Sequence, residues 1–171
     1  MAAGDAGDTA GAEGAAAAEP DATRYAAVVP AIASRLKEAK SVIVFCDARR
    51  RAERLAFLLN EREGPGTAYA HHGSLSKEAR RGVEERLKSG ELKCVAATAS
   101  LELGIDVGSV EEVILAGSPP EIAAALQRLG RSGHGVGEAS RGVLYPFNGM
   151  DLLLAAAVVK GVEERAVEEL R

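Results

Sequence analysis

Short apolar runs alternate with segments of helical periodicity along most of this chain. The run at 42–45 reads Val-Ile-Val-Phe, a continuous stretch that is typical of a strand buried on both faces. Strands that alternate with helices indicate a parallel sheet. The predicted fold class is therefore α/β, a parallel sheet with helices on both faces. The predicted strands are 42–45, 67–71, 94–98, 113–115 and 142–147.

Helical periodicity fills the segments between these strands. The predicted helices are 23–39, 48–60, 76–88, 119–129 and 150–170. Pro30 could divide the first of them, and Gly161 is a weak point in the last. Ser76 is a suitable N-cap for the third helix. Ser-Pro-Pro-Glu at 118–121 has the pattern of a capping box with proline at the first helical position, and Gly130 would stop that helix.

The net charge of -4 comes from one end of the 171-residue chain. Residues 1–23 hold five acidic residues and no Lys or Arg, so residues 24–171, with 21 basic and 20 acidic residues, carry +1. No large apolar residue follows Met1 in residues 1–22, so this segment cannot offset the entropy cost of ordering. We predict a disordered low-complexity tail over 1–22 and one folded domain over 23–171.

Several classes of protein are excluded by pattern. No apolar run approaches the ~18 residues of a membrane span, and the N-terminus lacks the basic and apolar regions of a secretory signal. Cys46 and Cys94 lie in apolar runs, where buried reduced thiols are the simplest interpretation. We therefore expect a cytoplasmic protein with no membrane partner.

Polar residues follow the predicted strands at 47–51, 71–76, 98–106 and 117–119. Open parallel sheets bind ligands outside the carboxyl ends of their strands. Thr98 and Ser100 carry hydroxyls that suit phosphate contacts, and Asp106 is an acceptor for a ribose or an arginine. The alternative is that Thr98 and Asp106 only satisfy turns and caps.

Arginines recur beside these loops. Arg49 belongs to a basic run that opens a helix after a strand, a phosphate-binding arrangement, although a solvated basic face is slightly favoured when this motif is taken alone. Arg128 and Arg131 flank a helix end before a glycine-rich stretch, and two guanidinium groups there could bind phosphate oxygens bidentately. A surface turn with solvated arginines is the alternative.

Two expected features of nucleotide hydrolysis are missing from the sequence. No Gly-Lys dipeptide occurs, so there is no phosphate-binding P-loop, and no Asp-Glu pair follows an apolar strand to hold Mg²⁺. His71 and His72 could suggest a metal site, but adjacent residues on a strand point apart and no third ligand has a matching spacing. We predict no metal site.

In their order and spacing, the segments at 45–51, 71–76, 98–106 and 127–137 together resemble motifs IV, IVa, V and VI of the second RecA-like lobe of superfamily 2 helicases. The stretch from His71 to His134, HHGSLSKEARRGVEERLKSGELKCVAATASLELGIDVGSVEEVILAGSPPEIAAALQRLGRSGH, is especially similar to the large helicase-related (Lhr) group of ATP-dependent DNA helicases. The resemblance covers about residues 40–160 and implies a RecA-like sheet.

The resemblance implies roles for the matching residues. ATP would lie between two lobes, with the missing first lobe supplying the P-loop and holding Mg²⁺. Arg128 and Arg131 match the arginines that reach the γ-phosphate. Gly104, Asp106 and Gln127 match positions beside the nucleotide. The positions that match a path for single-stranded nucleic acid are Arg49, His72, Gly73, Ser74, Thr98 and Ser100.

Two residues depart from the common superfamily pattern. His134 stands where many members have arginine, which leaves open whether Arg128 or Arg131 is the dominant arginine finger. Asp47 stands where Asn or Thr is usual, and a carboxylate facing a phosphate strand is unfavourable.

The leading interpretation is the C-terminal motor lobe of an Lhr-like helicase. It would bind single-stranded or duplex DNA, with RNA as a further substrate class, and would hydrolyse ATP only with a first lobe. The alternatives are a non-enzymatic module that binds nucleic acid or a protein, and an unrelated doubly wound nucleotide binder. The last leaves the four ordered motifs unexplained.

Overall fold

The chain folds into a parallel sheet between two layers of helices. In the computed structural model, residues 19–102, 108, 110–133 and 140–164 are described. Within these ranges the strands are β1 (Val42–Cys46), β2 (Ala68–His71), β3 (Cys94–Ala97), β4 (Glu112–Ala116) and β5 (Gly142–Tyr145). The helices are α1 (Glu19–Glu38), α2 (Arg49–Glu63), α3 (Lys77–Lys88), α4 (Ile122–Leu129) and α5 (Gly149–Glu163), with a 3₁₀ helix at Ala99–Leu101. The strand order is β2-β3-β1-β4-β5, and every pairing is parallel, which confirms the predicted fold class.

Side chains of β1 alternate between two hydrophobic clusters. Val42, Val44 and Cys46 pack with residues of α1 and α2. Ile43 and Phe45 pack in a second cluster with residues of α3, α4 and α5. All five side chains are buried. Helices therefore cover both faces of the sheet, which is why the run at 42–45 shows no polar alternation.

The first helix begins earlier than the sequence pattern predicts. α1 includes residues 19–22, which we had assigned to the tail, and its Glu-Pro-Asp start is a common helix N-terminus. Pro30 lies inside α1 without dividing it. The rest of the predicted tail, residues 1–18, lies outside the described residues. So do residues 165–170, the predicted end of the last helix.

The predicted capping box at 118–121 is wrong. α4 starts at Ile122, and the side chain of its N-cap residue, Glu121, makes no capping hydrogen bond. Two consecutive prolines explain the late start, because a residue that precedes proline is held away from the α conformation. The backbone N–H of Ser118 instead donates to Asp151 Oδ1 over 2.6 Å. By contrast, Ser76 caps α3 as predicted, with its hydroxyl accepting from the Ala79 N–H.

The second half of the fold has two further features. Gly161 is buried inside α5 and does not end it. The outward side of α5 is apolar, with Met150, Leu152, Leu153 and Leu154 exposed. None of the described helices is long and apolar enough to cross a membrane.

Both cysteines are buried free thiols, as the apolar runs predict. Burial raises the pKa of Cys46 and of Cys94 to about 12. Both thiols are therefore held in the unreactive protonated form at neutral pH.

Asp151 ties the ends of β4 and β5 to the first turn of α5. Its Oδ1 accepts from the Ser118 N–H, and its Oδ2 accepts from the Phe147 N–H over 2.8 Å. A carboxylate that accepts two backbone hydrogen bonds satisfies donors that would otherwise be left unpaired.

We therefore expect Asp151→Ala to lower the free energy of unfolding by about 2 kcal/mol, because two backbone donors lose a charged acceptor. Urea denaturation measures this change. Glu61→Ala, at an exposed position on α2, is the control and should leave the unfolding midpoint nearly unchanged. An equal loss in both variants would contradict the bridging role of Asp151.

Candidate functional site

The carboxyl ends of β1, β2 and β3 lie level at one edge of the sheet. Phe45 is paired with Ala97, and Ala97 is paired with His71 on the other side. The loops that follow these strands therefore emerge side by side. These loops, together with the start of α2 and the 3₁₀ helix that follow them, carry the predicted nucleic-acid-binding residues, as expected for a parallel sheet of this kind.

Two predicted nucleic-acid residues from different loops are in contact. Arg49 Nη1 donates to Ser74 Oγ over 3.1 Å, although the two residues are 25 positions apart. Arg49, Gly73 and Ser74 are all exposed. The contact places one positive charge and one hydroxyl at the same surface, where both can reach a phosphate.

The carboxylate of Asp47 is paired at this edge. Asp47 Oδ1 lies 2.8 Å from Arg51 Nη1, and the Arg51 guanidinium stacks on the Phe147 ring at 4.3 Å. Gly117 approaches the same arginine with a φ of 103°, which favours glycine, and a Cβ there would lie 2.7 Å from Arg51 Nη1 and displace that side chain. The ion pair offsets the repulsion that Asp47 would exert on a phosphate strand.

The two adjacent histidines point to different helices. His72 is 3% exposed, and its Nε2 lies 2.9 Å from Glu53 Oε1 on α2, at an angle that does not make a hydrogen bond. His71 is fully buried and faces Glu84 on α3. Among the described residues no three His, Cys, Asp or Glu side chains cluster as metal ligands.

His71 binds the loop after β3. Its Nδ1 lies 2.8 Å from Ser100 Oγ, and its Nε2 lies 2.8 Å from Glu84 Oε1. Its backbone carbonyl accepts from the Thr98 N–H over 3.0 Å. Burial lowers the pKa of His71 below its usual value, although Glu84 opposes the shift. The imidazole is therefore neutral at pH 7.

Arg128 and Arg131 both converge on Glu102. Arg128 Nε donates to Glu102 Oε1 over 2.6 Å, and the guanidinium lies over the Phe45 ring at 5.4 Å. Arg131 Nη2 donates to the Glu102 backbone carbonyl over 2.5 Å. Arg128 is 5% exposed, whereas Arg131 is only partly buried. One loop residue thus holds both arginines at the edge of the sheet.

The structure places the remaining predicted residues as follows. Gln127 is exposed on α4. Gly104, Asp106 and His134 lie outside the described residues, so their predicted positions beside a nucleotide stay predictions. Thr98 and Ser100 are partly buried at the start of the 3₁₀ helix.

Sequence reasoning missed two acidic residues. Glu84 lies on α3. The one sequence signal for it was that His71 ends a predicted strand, where a buried imidazole needs a polar partner. Glu102 lies inside the motif at 98–106, between the hydroxyls and Asp106. The available signal was a carboxylate inside a motif whose hydroxyls suit phosphate. Such a carboxylate can be the acidic partner that a buried arginine needs.

We expect Glu102→Ala to destabilise the fold by about 3 kcal/mol, since it leaves the buried Arg128 charge unpaired. Glu102→Gln keeps an acceptor oxygen and should cost less. Urea unfolding of both variants measures this order. The control is Glu85→Ala, which removes an exposed pair with Arg81 and should change little. Wild-type stability of Glu102→Ala would show that Arg128 does not depend on this carboxylate.

Comparison with known proteins identifies the family. The model of the helicase conserved C-terminal domain matches residues 24–135. The Lhr helicase/probable uracil glycosylase of Mycolicibacterium smegmatis is 44% identical in an alignment of 164 residues that covers 77% of this chain and 11% of that protein. The ATP-dependent helicase Lhr-Core of Methanocaldococcus jannaschii is 46% identical over 69% of this chain and 14% of that protein. The chain thus spans a small part of each relative.

Solved structures agree with these relatives. The Mycobacterium smegmatis helicase Lhr bound to ssDNA and AMP-PNP superposes with a TM-score of 0.80 and 48% identity, covering 84% of this chain and 20% of that one. The C-terminal domain of the DEAD-box protein Dbp5, 21% identical, shares the fold with a TM-score of 0.69. This chain therefore belongs to the helicase conserved C-terminal domain family, as a C-terminal RecA-like lobe of the Lhr-like superfamily 2 helicases.

Proposed function

We propose that this chain is the second motor lobe of an ATP-dependent Lhr-like helicase that acts on DNA. The convergence of Arg128 and Arg131 on Glu102 carries the proposal, because it brings two guanidinium groups to the edge that also holds the predicted strand contacts. A lobe of this kind supplies phosphate-binding groups on one side of a nucleotide. The other side, with the P-loop and the Mg²⁺, belongs to a first lobe.

The chain's own residues fit this division. Two arginines near one loop suit the oxygens of a γ-phosphate. The sequence contains no P-loop and no Asp-Glu pair after a strand for a metal. ATP supplies the free energy of the reaction, and this lobe binds and orients its terminal phosphate. The similar Lhr-Core protein is an ATP-dependent helicase and the similar Lhr structure holds AMP-PNP, which supports nucleotide use.

We assign Arg131 as the arginine finger and Arg128 as a positioning residue. Arg128 is buried, stacked on Phe45 and paired with a carboxylate, so withdrawing it would leave Glu102 with an unpaired buried charge. Arg131 is less buried, lies beyond the end of α4, and is three residues nearer in sequence to the glycine-rich stretch. A guanidinium at a developing phosphate charge stabilises the transition state.

The proposed strand path runs over Arg49, Gly73, Ser74 and Thr98. These groups offer one charge, one open backbone position and two hydroxyls, which bind phosphates without reading bases. His72 is buried and the Ser100 hydroxyl contacts His71, so we leave both out of the path. The MrfA helicase bound to DNA and AMPPNP, 26% identical with a TM-score of 0.72, is a further DNA-bound neighbour.

ATP hydrolysis tests the motor assignment. The chain alone should show negligible turnover, and adding a P-loop lobe from an Lhr-like relative should restore it. Arg131→Ala should then reduce kcat by about 10³-fold, since it removes the finger. Phosphate release measures both results. Arg62→Ala, at the opposite end of α2 from this edge, is the control and should retain full turnover.

Two outcomes would contradict the assignment. Strong hydrolysis by the chain alone would exclude a lobe that depends on a partner. Single-strand binding that does not respond to ATP when the first lobe is present would favour a non-enzymatic binding module instead.

Strand binding tests the proposed path separately. We expect Arg49→Ala to weaken binding of a single-stranded oligonucleotide of any sequence and to reduce the slope of log affinity against log salt by about one. Fluorescence anisotropy across a salt series measures the slope. The slope of Arg62→Ala should equal that of the wild-type chain. An unchanged slope for Arg49→Ala would remove Arg49 from the path.

A further inference from the structure

His71 is a buried side chain that the motor assignment does not use. The ring is fully buried, and each of its nitrogens lies 2.8 Å from a hydrogen-bond partner. One partner is Glu84 on α3 and the other is Ser100 in the 3₁₀ helix. The imidazole therefore joins a helix of one sheet face to the loop that we place beside the strand.

The protons at this site can be assigned from the partners. A carboxylate only accepts, so Nε2 must carry the proton that it donates to Glu84. A neutral imidazole then presents a lone pair at Nδ1, and the Ser100 hydroxyl donates to it. The same hydroxyl lies 3.2 Å from the His71 carbonyl oxygen, but its single proton is used by the shorter contact.

This assignment limits what Ser100 can do for a phosphate. Phosphate oxygens require donors, and the only proton of Ser100 points inward to His71. Ser100 Oγ accepts from the Thr98 hydroxyl over 3.4 Å, a long contact that a phosphate oxygen can replace. Thr98 thus retains a proton for a strand, while Ser100 does not.

We propose that His71 is a positioning residue. Glu84 holds its ring as the neutral Nε2–H tautomer, and the ring fixes the Ser100 hydroxyl. This contact in turn fixes the loop that presents Thr98 to a phosphate strand. The effect on binding rests on the strand path proposed above, whereas the tautomer and the Ser100 contact do not. The charged or titratable groups around the ring are Glu84 and Arg80 from α3 and the neighbouring His72.

Two amide substitutions separate this role from simple packing. In His71→Asn the amide oxygen can occupy the place of Nδ1 and accept from Ser100. In His71→Gln the amide reaches toward the place of Nε2 and Glu84, and leaves Ser100 without its acceptor. Gln is closer to histidine in length, so a packing role predicts that Gln is the better replacement.

We expect His71→Gln to weaken binding of a labelled oligothymidylate about tenfold, the equivalent of one lost hydrogen bond, and His71→Asn to retain affinity within about threefold. Fluorescence anisotropy with the full chain measures both, and urea unfolding verifies that each variant is folded. Equal losses, or the better affinity in His71→Gln, would overturn the positioning role.

Nitrogen-15 chemical shifts of the histidine rings test the network without any nucleic acid. His71 should be neutral with its proton on Nε2 at pH 7. Ser100→Ala should move the Nδ1 resonance, and Glu84→Gln should mix the two tautomers, since an amide both donates and accepts. Glu85→Gln, the next carboxylate on α3, is the control and should move neither.

The two experiments fail differently. If the His71 proton is on Nδ1, or if Ser100→Ala leaves the Nδ1 resonance unchanged, the contacts of His71 with Glu84 and Ser100 are not as proposed, even if the chain binds single strands. The predicted shifts together with no strand binding by the wild-type chain would overturn the strand path and with it the positioning role.

Discussion

The register of β1 with β3, and of β3 with β2, aligns the segments that carry the predicted nucleic-acid-binding residues. Phe45, Ala97 and His71 stand level, so the loops that follow β1, β2 and β3 leave the sheet together. A shift of one residue would also turn each buried side chain to the opposite face. The two hydrophobic clusters prevent that shift, because β1 is buried on both sides.

Carboxylates pair with arginine and histidine side chains at this edge of the sheet. Glu102 holds Arg128, Asp47 holds Arg51, and Glu84 orients His71. A basic site without such partners would carry several close positive charges that repel one another. The internal carboxylates remove that repulsion, and they also keep long side chains in one conformation. This arrangement is consistent with a domain whose net charge is near zero.

The sequence predicted the α/β class, all five strands within about two residues and the Ser76 cap, because buried parallel strands leave long apolar runs. It failed where two local signals competed. Ser-Pro-Pro-Glu at 118–121 has a capping pattern, but the second proline keeps Pro119 out of the helix. It also missed the start of α1, where low-complexity composition outweighed the Glu-Pro-Asp signal.

The candidate site was predictable in its loops but not in its pairings. Residue types after each strand indicated phosphate binding, and parallel topology brought those loops together. The partners of buried groups depend on tertiary packing between distant elements, such as Arg128 with Glu102 and His71 with Glu84. No sequence period encodes these contacts, so the roles of Glu102 and Glu84 emerged only from the fold.

The 3₁₀ helix at Ala99–Leu101 is held from both ends. Ser100 is bound to His71 on the side of the proposed strand path, and Glu102 follows immediately with Arg128 and Arg131. Only one residue, Leu101, lies between the two anchors, and a short helical segment cannot stretch to absorb movement at one of them. A phosphate that takes Arg131 from the Glu102 carbonyl would therefore act on the same rigid segment that orients Thr98. The proposed nucleotide and strand contacts share one element, so a change in its position would affect both.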